Sequence, residues 1–125
     1  MLPKSGYFYR PLMGNLPKIQ GSIELTSAGQ QVLLEAPGEN KRITIYRVFI
    51  MLEKIQQDVM VYARNGIDGD IFLRVRGSET NPFDFNFGTI GITLSENTPL
   101  VIELDKPGVS SYSVIATAIG VIEHC

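Results

Sequence analysis

The sequence holds no tryptophan, one cysteine and one histidine in 125 residues, and each scarcity excludes something. Cys125 alone cannot close a disulfide within the chain, so the fold is expected to stand without an oxidising compartment. Zinc would want more Cys and His than exist here. A nucleophile and its base would have to be Cys125 and His124, and neighbouring residues of a strand point to opposite faces. No side chain is thereby nominated as catalytic, and no cofactor is expected. Charge of one sign is scarce too: 11 Lys and Arg against 13 Asp and Glu leave a net charge of −2, without the basic stripe that draws nucleic acid. The longest apolar run, Ile115 to Ile122, is far shorter than the roughly 20 residues of a membrane helix. The opening MLPKSGYFYRPLMG lacks the apolar core of a secretory signal. The expected product is an enzymatically silent protein made in the cytoplasm, with neither nucleic acid nor membrane as its partner.

What is present is an apolar fraction of 44%, enough for one folded domain, arranged at a period of two. Ile19, Gly21, Ile23 and Leu25 alternate with Gln20, Ser22 and Glu24, and Val32, Leu34 and Ala36 continue the theme. Further strands are predicted at 41–52, 58–65, 70–76, 83–87, 90–94, 98–104 and 111–123. Turn signals separate them: Pro37-Gly38, Asn65-Gly66, Asp68-Gly69, Asn81-Pro82, Asn97 and Pro107-Gly108. Only 52–57, LEKIQQ, has the makings of a helical turn. The fold class that follows is all-β, an antiparallel β-sandwich of jelly-roll type over residues 19–125.

Residues 1–18 stand apart. Pro3, Pro11 and Pro17 exclude a helix and a central strand, while Tyr7, Phe8, Tyr9, Leu12 and Met13 carry large apolar groups. Such an extended, proline-rich arm must bury its rings, either on its own domain or on a neighbour. With Arg10, those five residues are the candidate partner-binding set. Two strands are also apolar on both faces. In 41–52 a bulge that swaps the faces is one explanation. In 111–123, Ile115, Ile119 and Val121 oppose the Val114, Ala116, Ala118, Ile122 face, and a strand apolar on both sides implies a second cover, for which the N-terminal arm is one candidate. Subunit packing explains both strands, so a homo-oligomer is expected, most simply a trimer, with Ile115, Ile119 and Val121 at its interface.

Three motifs with chemical overtones read more simply as structure. EAPGENKRITIY, residues 35–46, has a glycine and a lysine but no Ser or Thr after Lys41, and Glu39 would repel a phosphate. NGIDGD, residues 65–70, offers oxygens for calcium but lacks EF-hand spacing; Asn-Gly and Asp-Gly suit a hairpin. Phe83, Phe85 and Phe87 repeat at period two, as a core-facing strand does; a stacking platform for bases would need a basic groove beside it.

VLLEAPGENKRITIYRVFIML, residues 32–52, resembles a pattern in small β-sandwich proteins of tailed bacteriophage virions, where an APG-x-x-K/R-I-x-V turn leads into the first long strand. The closing strand, residues 112–122, is similar in character. The resemblance implies a capsid decoration or cement protein: subunits seated as trimers on the major capsid protein lattice, at the virion surface, without catalytic residues. A receptor- or glycan-binding module of a phage tail or fibre is the alternative.

Overall fold

The computed structural model describes residues 16–53, 59–77, 81–105 and 113–125. These form nine strands: β1 (Lys18–Leu25), β2 (Gly29–Leu34), β3 (Lys41–Glu53), β4 (Val59–Asn65), β5 (Asp70–Gly77), β6 (Asn81–Asn86), β7 (Ile92–Thr93), β8 (Leu100–Asp105) and β9 (Ser113–His124). One sheet runs β1-β9-β3-β6, with β7 also on β3; the other runs β2-β8-β4-β5. The partners β1·β9, β2·β8, β3·β6 and β4·β5 are all antiparallel. Apart from the two-residue β7, the first long strand thus pairs with the last, the second with the next to last, and so inward. The chain is one long antiparallel ribbon wound so that successive pairs alternate between sheets, which is a jelly roll.

The alternation read from sequence decides which side of each strand enters the sandwich. Val114, Ala116 and Ala118 of β9 meet Leu52, Ile50 and Val48 of β3 in register, and all six are sealed in the core. From the other sheet come Val59, Val61, Ala63, Leu100, Ile102 and Leu104. Truncating a fully buried member such as Ile50 to alanine costs about 2–5 kcal/mol. Phe83, Phe85 and Phe87 pack against this cluster, as their spacing implied.

The face swap in β3 is a bulge. Ile45 stands opposite Gly120 but Arg47 opposite Ile119, so Tyr46 is the extra residue. Before it the odd positions Ile43 and Ile45 are core; after it Val48, Ile50 and Leu52 are. Gly120 is required there, since a Cβ would lie 2.4 Å from the Thr44 carbonyl oxygen.

Some expectations are corrected. Asn81-Pro82 is not a turn but the start of β6; β6 is an edge strand, where a residue without N–H is tolerated. Ala36 lies beyond β2, which ends at Leu34 after a register shift that leaves both Leu33 and Leu34 buried. Of the suspected helical turn, Leu52 and Glu53 close β3 and 54–57 lie outside the described residues. So do the Pro107-Gly108 turn and the arm up to residue 15.

Candidate assembly face

The two outer faces of the sandwich differ in chemistry. On the β2-β8-β4-β5 sheet, the Arg64 Nε donates to Glu103 Oε1 at 2.6 Å and its Nη1 to the Gly69 carbonyl at 2.7 Å. Arg74 stacks over the Tyr62 ring, 6.0 Å from its centroid. This face is charged and internally paired, as a solvated surface is.

The β1-β9-β3-β6 sheet presents the opposite. Register places Met51 beside Ile115, Phe49 beside Thr117 and Arg47 beside Ile119, all on the side away from the core. Phe49, Met51, Ile115 and Ile119 are each half-buried, forming an apolar stripe along β3 and β9. Polar pairs border it. Thr117 interrupts the β9 half of the stripe, its Oγ1 3.0 Å from Ser22 Oγ on β1, and at the β1 border Ser113 Oγ donates to Glu24. On the β6 side Arg47 grips Asp84 with both Nε (2.8 Å) and Nη2 (2.6 Å). That bond holds the Asp84 carboxyl below the usual carboxylate range, with the charge attraction adding to it, and raises Arg47. An apolar centre within a polar rim is the anatomy of a protein interface.

At one end of the stripe the bulge opens a depression of about 420 Å³ lined by Tyr46, Arg47, Asn86, Gly88, Thr89 and Ile119. The Phe87 N–H donates to the Tyr46 carbonyl at 2.9 Å, anchoring the turn that carries Gly88 and Thr89 over the site. Ile90 at its tip is 86% exposed.

Of the sequence-nominated interface residues, Ile115, Ile119 and Val121 share this outer side of β9. Ile115 and Ile119 lie in the stripe, whereas Val121 is fully buried within the single chain. Phe49, Met51 and Tyr46 belong to the face and were not nominated. Their signal was present, because 48–52 is apolar at every position and one parity had to face outward. The nominated arm residues Tyr7, Phe8, Tyr9, Arg10, Leu12 and Met13 lie outside the described residues.

The motifs set aside as structural have structural partners. Gly38 N–H donates to Asn97 Oδ1 (2.9 Å) and Asn40 N–H to Glu96 Oε2 (2.8 Å), so the EAPGENK turn is stapled to the turn before β8. In the β4–β5 hairpin, Asp68 takes φ 58° and Gly66 φ 94°. Gln30 Nε2 donates to Asp68 Oδ1 (2.9 Å), and the Asp68 N–H donates back to Gln30 Oε1 (2.8 Å). The loop's carboxylate is thus engaged by an amide. Among the described residues, no group of three or more His, Cys, Asp or Glu is placed to hold a metal ion. No helix among them is long and apolar enough to cross a membrane.

No protein-family model matches the chain, and no curated protein does. Among solved structures it is similar to a chain of the cyanophage Pam1 capsid asymmetric unit. That match has 11% identity over 95% of this chain and 93% of the other, with a TM-score of 0.50. It is similar also to a chain from Bacillus endospore appendages, described as a novel family of disulfide-linked pili (10% identity, 94% and 97% covered, TM-score 0.47). A third likeness is to the Tobacco streak virus coat protein dimer (13% identity, 86% and 87% covered, TM-score 0.44). At these identities the likeness is one of fold.

Proposed function

We propose that this chain is a non-enzymatic structural protein of a virion, an oligomeric jelly-roll subunit that binds the outside of a phage capsid and reinforces contacts between capsomers. The contrast between the two outer faces carries this reading. One face carries the Arg64–Glu103 ion pair and the Arg74–Tyr62 contact and suits solvent; the other offers an apolar stripe bordered by hydrogen-bonded polar groups and the Arg47–Asp84 pair, and suits a protein. The sandwich likeness to a cyanophage capsid chain and the virion-like segment at residues 32–52 are in keeping with that setting. A closed trimer would cover the stripe without leaving a free apolar patch. Several modest contacts per assembly would then hold the capsid by avidity rather than by any single strong site. Tyr7, Phe8, Tyr9 and Met13 supply residue types enriched at interfaces, and Arg10 adds another. A glycan-binding tail module would be expected to show aromatic rings in its loops. The large apolar side chains most exposed among the described residues are instead Ile67 and Ile90.

The test is light scattering of the purified full-length protein, alone and mixed with phage shells stripped of their outer proteins. The expected result is a mass above one chain and saturable co-sedimentation with a shell. A protein that stays monomeric at high micromolar concentration and in the supernatant with every shell would overturn the proposal.

A further inference from the structure

We infer that the apolar stripe and its depression are the seat of the N-terminal aromatic segment of a neighbouring copy, so that copies exchange arms across the β3–β9 face. This rests on the oligomeric reading above and names what fills the face.

Four observations lead to it. The stripe is long and narrow: Ile115 to Ile119 spans about 13 Å at about 3.3 Å per residue, with the depression beyond. That shape fits an extended segment better than a second flat sheet. Fifteen residues precede the described part of the chain, and they hold Tyr7, Phe8, Tyr9, Leu12 and Met13. Extended, they reach up to about 50 Å. The rim carries Glu24 on β1 and Glu53 at the end of β3, Asp84 on β6 being already held by Arg47, and the segment carries Lys4 and Arg10, charges opposite to those of the two glutamates.

The place where the segment enters decides whose face it covers. Pro17 prolongs β1 past the Val121 end of β9, its carbonyl accepting from the Ile122 N–H at 2.9 Å, and the chain bends at Leu16. Its own stripe therefore lies behind it. To lie there, the segment would have to reverse within Gly14 to Leu16, which would leave Leu12 and Met13 beside Val121. Val121 is already buried and needs no cover. On a neighbour's face no reversal is needed, and one side of the extended segment presents Tyr7, Tyr9 and Met13 to the stripe.

The experiment uses full-length chains in a Cys125→Ser background. One tagged chain carries a single cysteine as Tyr7→Cys, Phe8→Cys, Tyr9→Cys or Leu12→Cys. The other carries Thr89→Cys at the rim of the depression, or Ile67→Cys in the β4–β5 hairpin as a control. After mixing and mild oxidation, disulfide heterodimers with Thr89→Cys should exceed those with Ile67→Cys several-fold for at least one arm position. Ile119→Asp in the Thr89→Cys chain should abolish that excess while its thermal melt stays cooperative. No excess at any of the four positions would overturn the inference. So would a chain bearing both cysteines that bridges only within itself. Shell co-sedimentation is scored in parallel. Shell binding without arm exchange leaves the virion reading standing and removes this one; arm exchange without shell binding does the reverse.

Discussion

Replacing Val121 and Ile119 by aspartate, one at a time, separates the interior of this protein from its proposed assembly face. The two residues lie on the same side of β9, two positions apart. Val121 is 0% exposed. Losing its burial costs about 1.5–3 kcal/mol, and a carboxylate without a partner at such a site adds several kcal/mol, whether it stays charged or is forced to protonate. The sum, about 5 kcal/mol or more, is comparable with the whole stability of a small domain, about 5–15 kcal/mol. Val121→Asp should therefore unfold or aggregate. Ile119 is half-buried at the edge of the depression, where aspartate keeps access to water and costs the monomer about 1 kcal/mol or less. Its cost should fall on assembly instead: an anchor worth about 2 kcal/mol weakens each contact roughly thirtyfold. Thermal melting followed by circular dichroism reads the first effect, and light scattering across a dilution series reads the second. A Val121→Asp protein that melts near the parent would refute the burial argument. An Ile119→Asp protein that keeps the parent's mass on dilution would refute the assembly face.

Gly120→Val should destabilise the fold by more than a typical surface change, because its Cβ would press on the Thr44 carbonyl at 2.4 Å; an unchanged melting temperature would contradict this. His124→Ala with Cys125→Ala should leave folding and assembly as they are, both side chains being exposed at the end of β9; loss of assembly at a preserved melting temperature would count against that. The Arg47–Asp84 bond stabilises the folded state above the ordinary aspartate value of about 3.9. That contribution fades as pH falls through the lowered value of Asp84. A nuclear magnetic resonance titration should place the Asp84 carboxyl below the ordinary aspartate value, and Arg47→Gln should raise it; an Asp84 unmoved by that change would refute the bond's role.

The strands were legible because their burial alternates, and alternation is written in the sequence. The pairing was not. β1 meets β9 across nearly the whole chain, Lys18 against Val121, and no local pattern carries such a contact. The bulge at Tyr46 was legible only as a possibility: the parity of apolar residues changes between Ile45 and Val48, but a change of parity does not say which residue is extra. Pro82 was misread because turns and edge strands accept proline for different reasons that leave the same mark. Ile115, Ile119 and Val121 looked equivalent because parity fixes a side, whereas burial along that side depends on what lies above each position.

Why assembly should use a face rather than an edge follows from the longer strands at the four sheet edges. An open edge is a row of unpaired backbone groups that invites another strand, and each edge here carries something that discourages it. β1 has Lys18 and Glu24 on its eight residues. β2 is broken by the register shift between Val32 and Leu34. β5 bears the exposed Arg74 and Arg76 and a bulge opposite Ala63 and Arg64. β6 has Pro82, which has no N–H to offer, and Asp84, which is already held by Arg47. A partner strand added at any of these edges would meet charge, a kink or a missing donor. β3 and β9 are inner strands with a partner strand on each side, so their face does not template another strand. What remains available is side-chain surface: Phe49, Met51, Ile115 and Ile119, with a depression at one end. A surface of that kind selects its partner by shape and apolar contact, and a short segment rich in rings meets both demands.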